Sequence, residues 1–464
     1  MLSIYVENNL DKIKHYCGIV GIYSKTPCNI PQHLFYTLFT LQHRGQESAG
    51  ISYLKNGEIV TYRDLGSVPT VLSRYLSMDR PTCTGIGHVC YSTKGGNRIE
   101  SAQPIHVACN KGQIALAHNG AITNAEQIRK SLVDVGAIIR STTDTELIIH
   151  LLSRTMKPDF DEALKEVLEN QVEGAYALVM MHEQDLYAMR DPNGIRPLWM
   201  GKKDDMVVFA SETCALDILQ ITDVREVEPG EIVKVHNGEV SSFFIKPGKK
   251  NACIFELIYF ARPDSRVFGK SVYMMRKAMG RALAEEENVE GDVVISVPDS
   301  GNYAALGYAE RSGLPFEYGL SRNHYAGRSF IMPSQSQREF MVRMKLNPIK
   351  EVVAGKRIIM VDDSLVRGTT SKLIIKMLRE AGAKEIHLRL SSPEVKWPCY
   401  FGIDITTREE LISNRLTPEG LAEYTGADTV KFLSLESLKK CVTEGEDFCC
   451  ACFSGEYPVK VEGV

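Results

Sequence analysis

In the stretch RIIMVDDSLVRGTTS, residues 357–371, an apolar run ends in two adjacent carboxylates, Asp362 and Asp363, then passes into a Ser/Gly/Thr loop and a helical pattern. Backbone N–H groups of Gly368, Thr369 and Thr370 at a helix start, with the threonine hydroxyls, can surround a phosphate where the helix dipole favours negative charge. The two acids cannot hold phosphate, so ribose hydroxyls or a hard cation suit them. A solvated turn capped by Thr369 or Thr370 would explain the threonines. It would not explain paired carboxylates at the carboxyl end of a strand, the ligand side of an open α/β sheet. There is no Walker A loop, since FGKS at 268–271 has Asp264 at the first-glycine position, and no G-x-G-x-x-G.

Cysteine supplies the other chemistry. In HYCGIVGIY, residues 15–23, Cys17 stands between a charged preamble and a Gly-punctuated apolar run. It reads either as a small hydrophobe entering a strand or as a nucleophile exposed when residues 1–16 are removed. Of the twelve cysteines, Cys449, Cys450 and Cys452 crowd the C-terminus behind Cys441. The C-x-x-C of Cys449 and Cys452 suits zinc, a redox pair or an iron-sulfur cluster.

The elements that must position these residues divide the chain in two. Residues 17 to about 245 are rich in short β runs (IGHVCYS, IALAHNG, AYALVMM, MVVFASE) with helical patterns near 31–43 and 144–156, which predicts an α+β layered domain. The Pro/Gly/Lys-rich segment FFIKPGKKNACIFE, residues 243–256, suits a boundary. Beyond it, KRIIMVDD and EIHLRLSS flank SKLIIKMLREAG, a βαβ unit that predicts a parallel sheet covered by helices. A length of 464 residues exceeds what one core usually serves. With 54 basic and 58 acidic residues the formal charge is -4, which gives no reason for nucleic acid or membrane as a partner. No apolar run approaches the roughly 20 residues of a bilayer span, and Glu7 and Asp11 occupy the place of a signal peptide's apolar core, so a cytoplasmic chain with reduced thiols is expected.

VDDSLVRGTT resembles the phosphoribosyl-diphosphate motif of the type I phosphoribosyltransferases. SVPDSGN, residues 296–302, is similar to their diphosphate loop, and NHYAGRSFIMPSQSQRE with VRMKLN, residues 323–347, to the flap of one branch. The resemblance implies that Asp299, Ser300, Arg328, Lys345, Asp362, Asp363, Ser364, Arg367, Gly368, Thr369 and Thr370 bind phosphoribosyl diphosphate, with magnesium at Ser300, Asp362 and Asp363. Upstream, CGIVGIY, LQHRGQESAGI, GHVCYSTKGG, LAHNGAITN and STTDTE resemble the glutaminase half of the N-terminal-nucleophile amidotransferases, in order. Cys17 is then the nucleophile, freed from a propeptide of residues 1–16. Its α-amino group, with a pKa of about 7.7–8.0, serves as base beside a thiol of about 8.5. Asn119 and the Gly120 N–H form the oxyanion hole, while Arg44 and Asp144 bind glutamine. The domains implied are a four-layer αββα nucleophile domain over 17–245, a phosphoribosyltransferase domain with a parallel sheet over 246–440, and a cysteine-rich tail over 441–464. The reaction implied passes ammonia from glutamine through a closed passage to phosphoribosyl diphosphate.

The resemblance further implies a 4Fe-4S cluster on Cys253, Cys399, Cys449 and Cys452, as in the iron-sulfur-containing, propeptide-bearing branch, with zinc as the alternative and Cys450 as a competing ligand. It implies a homo-oligomer, a tetramer, inhibited by purine nucleotides. One position departs from the pattern. Cys90 stands where the family's arginine takes glutamine's α-carboxylate, and a thiol cannot replace a fork of donors. Lys94 and Arg98 are candidates to substitute. The competing reading is a divergent paralogue that uses free ammonia or binds phosphoribosyl diphosphate as a regulatory protein.

Overall fold

The computed structural model describes residues 17–76, 80–91, 98–246, 248–287, 289–324, 340, 342–405, 407–442 and 447–461. The leader 1–16, Lys94 and Arg328 lie outside the described residues.

Strand β1 (Cys17–Cys28) shows how the first half is layered. Strand side chains alternate between faces, so Ile19 and Tyr23 point to one apolar cluster and Val20 and Ile22 to another. β1 lies inside a seven-stranded sheet with β2 (Ser48–Lys55), β3 (Glu58–Leu65) and β4 (Thr82–Cys90) on one side. The strands from Trp199–Lys203, Met206–Ala210 and Asp223–Glu226 complete its other side. A second, six-stranded sheet contains β5 (Ile105–Cys109), β6 (Gly112–Ile122), β7 (Gly174–His182) and β8 (Asp185–Arg190), continued by Glu231–His236 and Glu239–Phe244. Ile19 and Ile86 from the first sheet meet Ala117 and Val179 from the second in a shared cluster. Outside the first sheet packs α1 (Ile30–Thr40) through Ile30, Leu34 and Leu38. Outside the second pack α2 (Ala125–Asp134), α3 (Asp144–Arg154) and α4 (Phe160–Asn170). Helix, sheet, sheet, helix is the four-layer arrangement the motifs implied. The sequence patterns near 31–43 and 144–156 correspond to α1 and α3, with α3 ending at Arg154 because Pro158 follows closely. Helices α2 and α4 lay outside that reading.

In the second half, strands Val293–Ser296, Arg357–Asp362, Glu385–Leu390 and Thr429–Phe432 form a sheet in that order, every pair parallel. Its connections include α5 (Asn302–Ser312) and α6 (Thr369–Glu380), as parallel pairing requires. In α6 the buried Ser371, Ile374, Ile375 and Leu378 recur at helical spacing on the sheet side. A two-residue parallel ladder pairs Ala252 with Phe448 and Cys253 with Cys449, and so brings the C-terminal tail back to the start of this half. Among the described residues no helix is long and apolar enough to cross a membrane.

Helix α5 packs closely on the helix Val272–Glu286 because each supplies a glycine at the crossing. A Cβ on Gly280 would lie 1.9 Å from the Ala304 carbonyl oxygen, and one on Gly307 2.0 Å from that of Lys277. Both obstacles are backbone, so neither can rotate away. Gly307→Ala is therefore expected to push the helices apart and destabilise the protein by about 1–3 kcal/mol. Denaturant unfolding would measure this, and an unchanged midpoint would contradict the close-crossing account.

Candidate active site

The first site lies at one end of the space between the two large sheets. Cys17 pairs directly with Cys90 on β4, and Ile19 with His88. By strand alternation Cys17, His88 and Cys90 share the inward face with Ile19 and Ile86. Asn119 lies on the inward face of β6, two residues beyond Ala117. It is 1% exposed, and its Nδ2 has no hydrogen-bond partner. A buried donor left unpaired is costly, and an oxyanion formed against it would remove that cost. Gly120 has φ +145°, and a Cβ there would lie 2.0 Å from the Ala175 carbonyl oxygen, so only glycine fits beside Asn119.

Asp144 opens α3, whose Thr143 cap accepts a hydrogen bond from Glu146 N–H at 3.4 Å. Its carboxylate meets His118 Nδ1 at 3.1 Å and accepts from Ile122 N–H at 2.8 Å, while staying 21% exposed. Burial pushes the Asp144 pKa up, but the His118 charge and hydrogen bonds outweigh it and hold the carboxyl below its usual range. Against its own burial, His118 is raised, chiefly by Asp144. A carboxylate kept ionised and partly open is suited to receiving an ammonium group.

Arg44 reaches Cys17 through the backbone. Its side chain is fully buried, and its Nε donates to the Cys17 carbonyl oxygen at 2.9 Å. Nη1 reaches Glu212 at 2.6 Å, and Nη1 and Nη2 clasp both Glu256 oxygens at 2.9 and 2.7 Å. Burial pulls its pKa down, but Glu256 and Glu212 more than reverse this. The guanidinium thus holds the Cys17 carbonyl together with two carboxylates. Glu256 also meets Arg196 Nη1 at 3.2 Å, and Arg196 donates through Nε to the Phe401 carbonyl oxygen at 3.0 Å. A Cβ on Gly402 would lie 3.0 Å from Gly120 C. The Cys17 end of the first half therefore abuts the 401–402 segment of the second. Glu212, Glu256, Arg196, His118 and His88 carry this site but were not singled out from sequence. Single charged residues far apart in the chain give no spacing signal.

The second site is at the carboxyl end of the parallel sheet. Asp362 and Asp363 are 4% and 3% exposed. Asp362 Oδ1 accepts from Asp363 N–H at 2.9 Å and Asp363 Oδ2 from the Ser364 hydroxyl at 2.5 Å. Leu365 and Val366 are buried beneath the loop, and Arg367 is tied to Glu410 at 2.6 Å. Gly368, at φ +78°, precedes α6, which begins at Thr369 and Thr370 without a side-chain cap. Its first N–H groups thus face the loop. The 299–301 turn lies alongside, since a Cβ on Gly301 would be 2.6 Å from the Val361 carbonyl oxygen and 3.2 Å from Asp362 Cα. Asp299 pairs with Arg322. Lys345 accepts from Asn323 N–H through its carbonyl at 2.8 Å, at the edge of the same face. Carboxylate and hydroxyl oxygens alone make a donor set that magnesium takes.

Cys253, Cys399, Cys449 and Cys452 also converge. Phe401 N–H donates to Cys399 Sγ at 3.4 Å, and the N–H groups of Lys396 and Trp397 both donate to the Cys452 carbonyl oxygen, at 3.0 and 3.1 Å. Burial pushes the Cys253 thiol up to about 12 and those of Cys399, Cys449 and Cys452 up as well. The Arg196 charge acts the other way on Cys253 and Cys399. Buried thiols that raise one another's pKa fit a bound cation or cluster. Among the described residues, the tight group of ligand atoms mutually within 4.8 Å is Cys17, His88 and Cys90.

Two layered sheets holding a cysteine, and a parallel sheet ending in paired acids before a helix, define a glutamine amidotransferase joined to a phosphoribosyltransferase. A model of the glutamine amidotransferase domain matches residues 94–217. The amidophosphoribosyltransferase of Methanocaldococcus jannaschii is 44% identical over 463 residues, covering 96% of this chain and 98% of that one. Amidophosphoribosyltransferase 1, chloroplastic, of Arabidopsis thaliana is 46% identical, covering 97% of this chain and 80% of its own. Among solved structures, the glutamine phosphoribosylpyrophosphate amidotransferase from B. subtilis complexed with ADP and GMP aligns with a TM-score of 0.90 at 43% identity, over 96% of this chain and 98% of its own. The chain belongs to the amidophosphoribosyltransferase family.

Removing Arg44 would leave the buried Glu256 and Glu212 short of a partner. Arg44→Met is expected to cost about 3–5 kcal/mol in denaturant unfolding. Adding Glu256→Gln should recover part of that loss, because one uncompensated carboxylate is removed. Equal stability of the single and double variants would contradict the network.

Proposed function

We propose that this enzyme transfers ammonia from glutamine to 5-phosphoribosyl 1-diphosphate, giving 5-phosphoribosylamine, glutamate and diphosphate, the first step of purine biosynthesis. The carrying observation is the buried, unpartnered Asn119 Nδ2 on the sheet face opposite Cys17. Cys17, released from residues 1–16, attacks glutamine's amide carbon. Its own amine takes the thiol proton, and Asn119 with the Gly120 N–H receives the oxyanion. Asp144 holds the α-ammonium. Arg44 keeps Cys17 in place through its carbonyl. Ammonia leaves a thioester that water hydrolyses.

Ammonia then crosses at the junction where Gly402 covers Gly120. At the second site the α6 start, with Thr369 and Thr370, binds phosphate while Asp362 and Asp363 orient the ribose; Arg328 and Lys345 belong to the flap over the diphosphate. Asp362, Asp363 and Ser300 would hold magnesium, which when bound would neutralise the charge departing with the diphosphate. The four converging cysteines would hold a 4Fe-4S cluster, which would fasten the tail to the junction. Residues 17–245 form the glutaminase domain and 246–440 the phosphoribosyltransferase domain, in a cytoplasmic tetramer inhibited by purine nucleotides. The ADP and GMP of the B. subtilis structure support nucleotide inhibition.

Cys17→Ala is expected to abolish glutamine-dependent synthesis and leave ammonia-dependent synthesis intact. Asn119→Ala should lower glutamine-dependent kcat by about 10²–10³. Steady-state kinetics with each nitrogen donor checks both, and glutamate release undiminished by Cys17→Ala overturns the assignment. Iron and acid-labile sulfide measured on anaerobically purified protein should be equimolar. Zinc without iron would replace the cluster.

A further inference from the structure

Cys17 Sγ and Cys90 Sγ lie 2.8 Å apart. Sulfurs held by one zinc ion with Zn–S bonds of about 2.3 Å would stand well over 3 Å apart, so the contact favours a sulfur–sulfur bond over a shared metal. The backbone suits that bond. Cys17 and Cys90 are direct cross-strand partners in an antiparallel pair. Such partners have Cα atoms about 4.5–5.5 Å apart, inside the disulfide window of about 4.4–6.8 Å. Cys17 is partly exposed and Cys90 is 9% exposed, so an oxidant meets Cys17 first. Cys90 is held as a thiol, its Sγ 2.7 Å from the Tyr91 carbonyl oxygen. Contact with Cys17, followed by burial, keeps its pKa well above the usual value.

His88 supplies the remaining part. It is 1% exposed, and one ring nitrogen lies within 4.8 Å of both sulfurs. Nε2 meets the His118 carbonyl oxygen at 3.0 Å and therefore carries the hydrogen, while Nδ1 is buried without a hydrogen-bond partner. The ring stands close enough to the two thiols to relay the Cys90 proton when they couple.

We propose that Cys90 is a resolving thiol for Cys17, and that a hydroperoxide converts the pair into a reversible disulfide that closes the glutamine site. The consequence for glutamine rests on the reading of Cys17 as nucleophile; the bond itself does not. In the first step the Cys17 thiolate attacks a peroxide oxygen. An S–O bond forms, the O–O bond breaks, and Cys17 becomes a sulfenic acid as the peroxide releases hydroxide or alkoxide. In the second step Cys90 sulfur attacks Cys17 sulfur. The S–S bond forms, the S–O bond breaks, and the departing hydroxide leaves as water with the Cys90 proton, relayed by His88. With hydrogen peroxide the sum is two thiols oxidised to one disulfide and one peroxide reduced to two waters. A dithiol reverses it by exchange. The bond also keeps Cys17 from further, irreversible oxidation. Cys90 thus gives the site a redox property that an arginine at that position could not.

The test uses the full-length enzyme treated with hydrogen peroxide and assayed with glutamine and with ammonium, beside peptide mapping without reductant. The expected result is a Cys17–Cys90 cross-linked peptide lighter than its two parts by two hydrogens. Glutamine-dependent activity should fall by more than about tenfold and return with dithiothreitol, while ammonia-dependent activity holds. Cys90→Ser should form no cross-link, and its peroxide inactivation should resist dithiothreitol. Loss of wild-type activity without a cross-linked peptide, or equal recovery of Cys90→Ser, overturns the proposal. Stoichiometric zinc bound through Cys17 and Cys90, found by metal analysis of untreated enzyme, overturns it also. A cross-link that forms while glutamine use persists supports the bond and overturns the nucleophile reading instead.

Discussion

The arrangement depends on one buried ionic chain, Arg44 to Glu256 to Arg196, that runs from the Cys17 carbonyl to the Phe401 carbonyl. All three side chains are essentially removed from solvent. Buried charges are costly unless paired and hydrogen-bonded throughout, and here each carboxylate oxygen and guanidinium nitrogen has a partner. The result is geometric specificity: Cys17 cannot shift without disturbing the contact between the two halves.

That chain explains why the cysteine quartet lies where it does. Cys253 N–H donates to the Ile195 carbonyl at 3.1 Å, one residue before Arg196, and Cys399 is two residues before Phe401. The same segments that brace the first site from behind also deliver the sulfurs. The quartet and Cys17 are therefore joined through short backbone segments and the buried ionic chain.

Strand alternation does the comparable work between the large sheets. Because the side-chain period is two, the register of Cys17 with Cys90 settles that both thiols and His88 face the second sheet. A one-residue slip of β1 would turn Cys17 and Ile19 toward α1 while Cys90 and His88 on β4 stayed inward. The inward row of Ile19, Ile86, Ala117 and Val179 makes such a slip expensive, so the apolar core and the placement of the chemistry are one constraint.

The sequence alone was enough for local chemistry. The acids and threonines of 361–370 lie in one continuous strand-loop-helix, so their juxtaposition follows from chain connectivity, and the βαβ pattern around them announced a parallel sheet. Cys17, Asn119 and Asp144 each stand in a short motif, so they could be proposed from the chain alone. What only the tertiary structure decided is everything held by residues distant in the chain: Arg44 as the brace of Cys17, the joining of Glu212, Glu256 and Arg196, and the approach of Cys90 to Cys17. Charge pairing and thiol contact act through space, and no periodicity or spacing in a linear string records which strands will become neighbours.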